Sequence, residues 1–216
     1  FYPELKPFLT DEIEDFEIPK DFLEKRRVGE NDDYICKLIR DDDIENFVSY
    51  ITRSNLSLKS TIKPSIYETN DFLLNLSEHT LIEYAAFFGS IQIFRYLVLN
   101  KVELNSSLWL FAIHSNNAEL IHLLEEYQVE LDKRCFIESI KCHHNGIEQY
   151  IQNNHLGNGE GNSIVNVNNY LKFYNFEFIE KENIDKNNFP ILSKYDYYTF
   201  VDLLLQDKDL DINFVS

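Results

Sequence analysis

The sequence predicts an all-α fold, a solenoid of stacked helix-turn-helix units, and three observations carry that prediction. First, an offset of 27 residues superposes Ala85-Ala86, Gly89-Ser90 and the face Ile93, Phe94 and Leu97 on Ala112-Ile113, Asn116-Asn117 and Leu120, Ile121 and Leu124. Second, the same offset lands again on Ser139-Ile140, His143-His144 and a face of Ile147, Tyr150 and Ile151. Third, each segment reads as a short helix with small residues at its centre, a tight polar turn, and a second helix with apolar residues three and four apart. Such apolar faces are too narrow to bury themselves alone, so neighbouring units must cover them.

Taken in order, residues 1–30 are expected to be an N-terminal extension and capping helix. Pro3, Pro7 and Pro19 stand among acidic residues there, and Asp21 is placed to cap a helix through Phe22-Leu23-Glu24-Lys25-Arg26-Arg27. Residues 31–152 are expected to hold the repeats. Their first, weaker copy runs from Leu38-Ile39 through Asp41-Asp42-Asp43 to Ile44, Phe47, Tyr50 and Ile51. Residues 153–188 are expected to interrupt the stack. The Gly/Asn-rich stretch 153–169 reads as a loop, and 170–188, aromatic and charged without a clear period, as a helix and an extended piece. Residues 189–216 read as a further, incomplete repeat, with Phe200-Val201-Asp202-Leu203-Leu204-Leu205 as its outer helix. The apolar character of that end predicts that the full-length protein continues past Ser216 or that another subunit covers it.

The stretch Thr80-Leu81-Ile82-Glu83-Tyr84-Ala85-Ala86-Phe87-Phe88-Gly89-Ser90 resembles the signature of ankyrin repeats. It keeps the threonine, the alanine pair and the glycine and departs at the proline and both histidine positions. Val102-Glu103-Leu104-Asn105 and Leu210-Asp211-Ile212-Asn213 look like the segment that closes such a repeat. In composition the chain resembles the divergent ankyrin-like proteins of parasitic protists. An offset of 27 residues is shorter than the usual period of about 33, so tight loops are expected in place of the hairpin.

Composition limits the partners. With 20 basic and 37 acidic residues the formal net charge is −17, which repels nucleic acid and anionic lipid and leaves basic or neutral protein surfaces as the expected partners. No apolar run reaches the length of a membrane span. Cys36, Cys135 and Cys142 are odd in number and scattered, so no disulfide framework is implied and a reducing, cytoplasmic setting is expected. Asn-x-Ser triplets at Asn55, Asn75 and Asn105 read as accidental in an Asn-rich chain.

Catalytic and metal-binding patterns fail on spacing. Adjacent residues on a helix point about 100° apart, so Cys142-His143-His144 cannot converge on one ion, and Cys135 sits at a packing position. Asp207, Asp209 and Asp211 lack the glycine of a calcium loop, where Ile212 stands. Gly157, Gly159 and Gly161 lack the strand and helix of a phosphate loop, and Asp41-Asp42-Asp43 suits an inter-helix turn. No enzyme activity, cofactor or metal is expected.

The resemblance implies recognition of a protein partner by the inner face of the stack. The two positions before each turn would point there: Arg40 and Asp41, Phe87 and Phe88, His114 and Ser115, and Lys141 and Cys142. Phe87 and Phe88 are either interface anchors or are covered by the N-terminal segment or the loop near residues 70–76. The expected function is that of a protein-protein interaction scaffold, with a structural subunit embedded in a larger complex as the alternative.

Overall fold

The computed structural model describes residues 20–76, 78–155, 166–179 and 184–206, which form short helices joined by turns. The fold is all-α. Among the described residues the one extended pairing is an isolated bridge between Thr61 and Thr80. The chain divides into two compact units, the first ending at Val129 and the second beginning at Glu130. That division falls inside the 31–152 segment expected to be one run of repeats. No helix among the described residues is long and apolar enough to cross a membrane.

The first unit holds α1 (Phe22–Val28), α2 (Tyr34–Arg40), α3 (Ile44–Ser54), α4 (Asp71–Leu74), α5 (Leu81–Phe88), α6 (Ile91–Leu99), α7 (Leu108–Ser115) and α8 (Ala118–Glu126). Short polar residues start most of them by taking up otherwise unpaired backbone N–H groups. Asp33 accepts from Ile35, Asp43 from Asn46, and Asn117 from Glu119 and Leu120. Thr80 and Glu83 form a reciprocal capping box at α5, and Glu83 also accepts a 2.7 Å bond from Ser107 Oγ just before α7. Asp21 does not cap α1. Its carboxylate pairs with Lys25 Nζ at 3.0 Å instead.

The helices pair as α2 with α3, α5 with α6, and α7 with α8, while α5 packs against both α2 and α7 and α6 against α3. First helices therefore form one layer and second helices another. Ile39, Ala85, Ala86, Ala112 and Ile113 are fully buried in the first layer, and Phe47, Ile93, Phe94, Leu97, Leu120 and Leu124 in the second. Alanine at 85, 86 and 112 lets neighbouring first helices approach closely.

The second unit holds α9 (Cys135–Lys141), α10 (Asn145–Asn154), α11 (Val167–Lys172), a 3₁₀ turn (Lys186–Asn188), α12 (Phe189–Lys194) and α13 (Tyr198–Leu205). Here α9 packs on α10 and α11, α11 on α12, and α12 on α13. Asn166 caps α11 by accepting from Asn168, so the expected loop 153–169 ends in the start of a helix. The core of this end is Leu171, Ile184, Leu192 and Leu204. The expected closing segment Leu210-Asp211-Ile212-Asn213, the alternating aspartates 207–211 and the glycines 157–161 lie outside the described residues.

One turn recurs through both units. Asp42, Gly89, Asn116, His143, Tyr174 and Asp196 all have positive φ, at spacings of 47, 27, 27, 31 and 22 residues. Each donates its backbone N–H three residues back, to Ile39, Ala86, Ile113, Ile140, Leu171 and Ser193 in turn. At five of the six sites the next residue's N–H reaches five residues back, as from Asp43 to Leu38 and from Ser90 to Ala85. This left-handed cap ends the first helix of the pair at five of the six sites and leads into the second, while at Tyr174 it ends α11 with no helix directly after it.

Candidate protein-binding face

The inner layer of the first unit presents α2, α5 and α7, and the turns at their C-terminal ends carry the residues expected to meet a partner. Arg40 is spent inside the protein. Its side chain is 12% exposed, and its Nε lies 2.9 Å from Glu30 Oε2. Its terminal nitrogen donates to Asn31 O at 2.8 Å and to Tyr84 Oη at 3.0 Å. The guanidinium sits 5.9 Å from the centre of the Phe88 ring, which leaves Phe88 half-buried and held in place. Asp41 is exposed at the end of α2.

Phe87 is buried, so it is no free anchor on the surface. The loop joining α3 to α5 covers it. Phe72 of α4 stacks on Phe87 at 5.9 Å and 13°, meets Phe111 edge-on at 5.1 Å and lies 4.1 Å from the His114 ring. His114 also stacks on Phe87 at 5.1 Å and is half-buried. Among the described residues, the segment near 70–76 is the expected cover that lies over Phe87. The Ser115 hydroxyl is used in its own turn, donating to Ala112 O at 2.7 Å and accepting from Asn117 N at 3.2 Å.

In the second unit Lys141 is exposed and pairs with Glu138 at 3.3 Å. Cys142 is half-buried, and burial pushes its thiol up to about 12. Burial likewise raises the Cys36 thiol to about 12 and raises that of Cys135. All three stay protonated at neutral pH, which is the opposite of an activated nucleophile.

Sequence reasoning missed Phe72 and Phe111. Asn70 followed by Asp-Phe-Leu-Leu is a cap before a short helix, and Asn70 Oδ1 does accept from Phe72 and Leu73. Nothing in that pattern says which face the helix lands on. An open depression lined by Asn31, Asp32, Asp33, Lys63, Pro64, Ser65 and Ile66 lies nearby. Its polar groups already serve each other, Asn31 donating to Lys63 O at 2.8 Å and Ser65 to Asp32 at 3.0 Å.

Set against family models and curated protein sequences, the chain matches none.

Proposed function

We propose that this chain is a non-catalytic scaffold for protein-protein interaction, built as an ankyrin-like solenoid and working in the cytoplasm. The recurring left-handed turn is the observation that carries the reading, because the same cap occurs at six turns and joins paired helices at five of them, as a repeat array requires. Polar side chains after the turns support it by tying turns to the one before within each unit. Ser90 Oγ donates to Ile39 O at 2.5 Å, and Asn117 Nδ2 to Gly89 O at 3.4 Å. In the second unit Asn175 Nδ2 donates to Ile140 O at 3.1 Å and Tyr197 Oη to Leu171 O at 2.5 Å. The partner is a protein with a basic or neutral surface, given the net charge of −17. Asp41, Phe88 and Lys141 are the partner-reading positions best placed to touch it, and within the first unit Arg40 and Phe87 act beneath Asp41 and Phe88 as supports.

The test is co-purification from the native source with the wild-type chain and with an Asp41→Lys, Phe88→Ser double variant. A partner that is held by the first and lost by the second, with helical circular dichroism unchanged, supports the reading. Equal retention by both chains sinks it.

A second reading, a structural subunit embedded in a larger complex, is favoured by exposed rings in the second unit. Tyr174 is 54%, Phe176 44% and Tyr198 74% exposed, and the first two pack with Tyr197 at 5.6 and 5.5 Å. Aromatics clustered on a surface suit a permanent contact. The purified chain would then associate or precipitate alone, whereas the scaffold reading expects a soluble monomer by size-exclusion chromatography with light scattering.

A further inference from the structure

The loop between α3 and α5 closes on itself at its base. Thr61 bridges to Thr80, Ile62 N donates to His79 O at 2.8 Å, and Leu81 N to Ser60 O at 3.3 Å. Its two arms are held in different ways. The first is latched by polar bonds: Arg26 donates to the carbonyls of Ile66 and Glu68, Asn31 to Lys63 O, and Thr69 N to Gly29 O at 3.0 Å. Gly29 is required there, since its φ is +75° and an added Cβ would stand 2.2 Å from Thr69 Oγ1.

The second arm, residues 71–76, has no such latch among the described residues. Its backbone bonds close within the arm, Leu74 N to Asn70 O, Asn75 N to Asp71 O and Leu76 N to Leu73 O. What holds it down is the burial of Leu73 and the seating of Phe72 among Phe87, Phe111 and His114. A helix of four residues has little stability of its own, so this arm belongs to the part of the fold that opens most easily. The cleft beneath offers one ring stacked face to face and another met edge-on, which are the two arrangements an aromatic side chain prefers. An aliphatic side chain would gain neither.

We propose that residues 71–76 are a displaceable flap, and that the cleft walled by Phe87, Phe111 and His114 binds an aromatic side chain presented by a partner protein, with Phe72 as its resident occupant. This rests on reading the inner face as the partner face. A partner competes with Phe72, so wild-type affinity is set partly by how readily the flap lifts.

Hydrogen exchange on the full wild-type chain tests the flap. The amides of 71–76 should exchange at least about ten-fold faster than those of 81–88, and equal protection overturns the proposal. Binding in trans tests the cleft, with an acetylated and amidated peptide of residues 68–76 as the probe. It should bind the full Phe72→Ala chain at least about ten-fold more tightly than the wild type, a difference of about 1.4 kcal/mol. Binding should vanish when the phenylalanine of the peptide is alanine. Equal binding to both chains, or by both peptides, overturns the proposal. Should Phe72→Ala fail to fold, Phe72→Leu keeps the apolar bulk without the ring, and the same outcomes apply. Neither readout uses the native partner, so failure here is distinct from failure of the scaffold reading.

Discussion

Glu148 shows how one substitution at a repeated position changes what a helix pair can tolerate. Counted from the left-handed turn, it stands in α10 where Phe94 stands in α6 and Ile121 in α8, and it is as buried as they are. Tyr170 Oη donates to its Oε1 at 2.7 Å, while Oε2 is buried with no hydrogen-bond partner among the described residues. Burial raises the carboxyl from its ordinary value of 4.5, and the bond from Tyr170 only partly opposes this. The folded chain therefore keeps the proton to a higher pH than the unfolded chain does. Stability from this group is complete below about 4.5 and is lost as pH rises through the folded value. Glu148→Gln retains the acceptor for Tyr170 and cannot ionise. In denaturant titrations, its stability relative to wild type should accordingly improve between pH 5 and pH 8. A constant difference across that range would show a solvated carboxyl.

Between elements, the bonds from one turn to the previous one set the stacking. Ser90 is buried and supplies the donor for Ile39 O, and Asn175, also buried, supplies donors for both Ile140 O and Asn145 Oδ1. Removing such a donor costs the carbonyl one of its two bonds, since Ile39 O keeps the Asp42 N–H and Ile140 O the His143 N–H, a loss of about 0.5–1.5 kcal/mol. Ser90→Ala and Asn175→Ala should each lower stability in urea by about that amount, and near-wild-type midpoints would show water replacing the lost bonds. The period of 27 residues made the turns at Gly89, Asn116 and His143 legible in the sequence. The turn at Asp42 was found by its apolar face, because the covering loop stretches the next spacing to 47. Those at Tyr174 and Asp196 were not found, since tyrosine gives no sign of a left-handed backbone and the spacings there are 31 and 22. The candidate face was less legible than the turns. The position of Arg40 and Phe87 before a turn follows from the register, but their burial depends on Glu30, Tyr84 and Phe72, which are distant in sequence and carry no mark of where they pack.

At the scale of the molecule, the repeat period runs unbroken from 89 through 116 to 143, yet the chain divides between Val129 and Glu130. Periodicity reports what each helix pair looks like and is silent on where cooperativity ends. In a stacked architecture each pair is held mainly by its neighbours, so a local cavity acts first on the unit that contains it. Leu97 is fully buried in the first unit, and Leu192 is fully buried among Leu171, Ile184 and Leu204 in the second. Either changed to Ala should cost about 2–5 kcal/mol, the transfer of the lost methyl groups plus the cavity they leave. Hydrogen exchange followed by mass spectrometry separates the effects by region. Leu97→Ala should speed exchange in α2, α3 and α5 to α8 and leave α11 to α13 within a few-fold of wild type, and Leu192→Ala should do the reverse. If either substitution speeds both regions alike, the two units unfold as one cooperative block, and the division at Val129 marks only where packing is sparse.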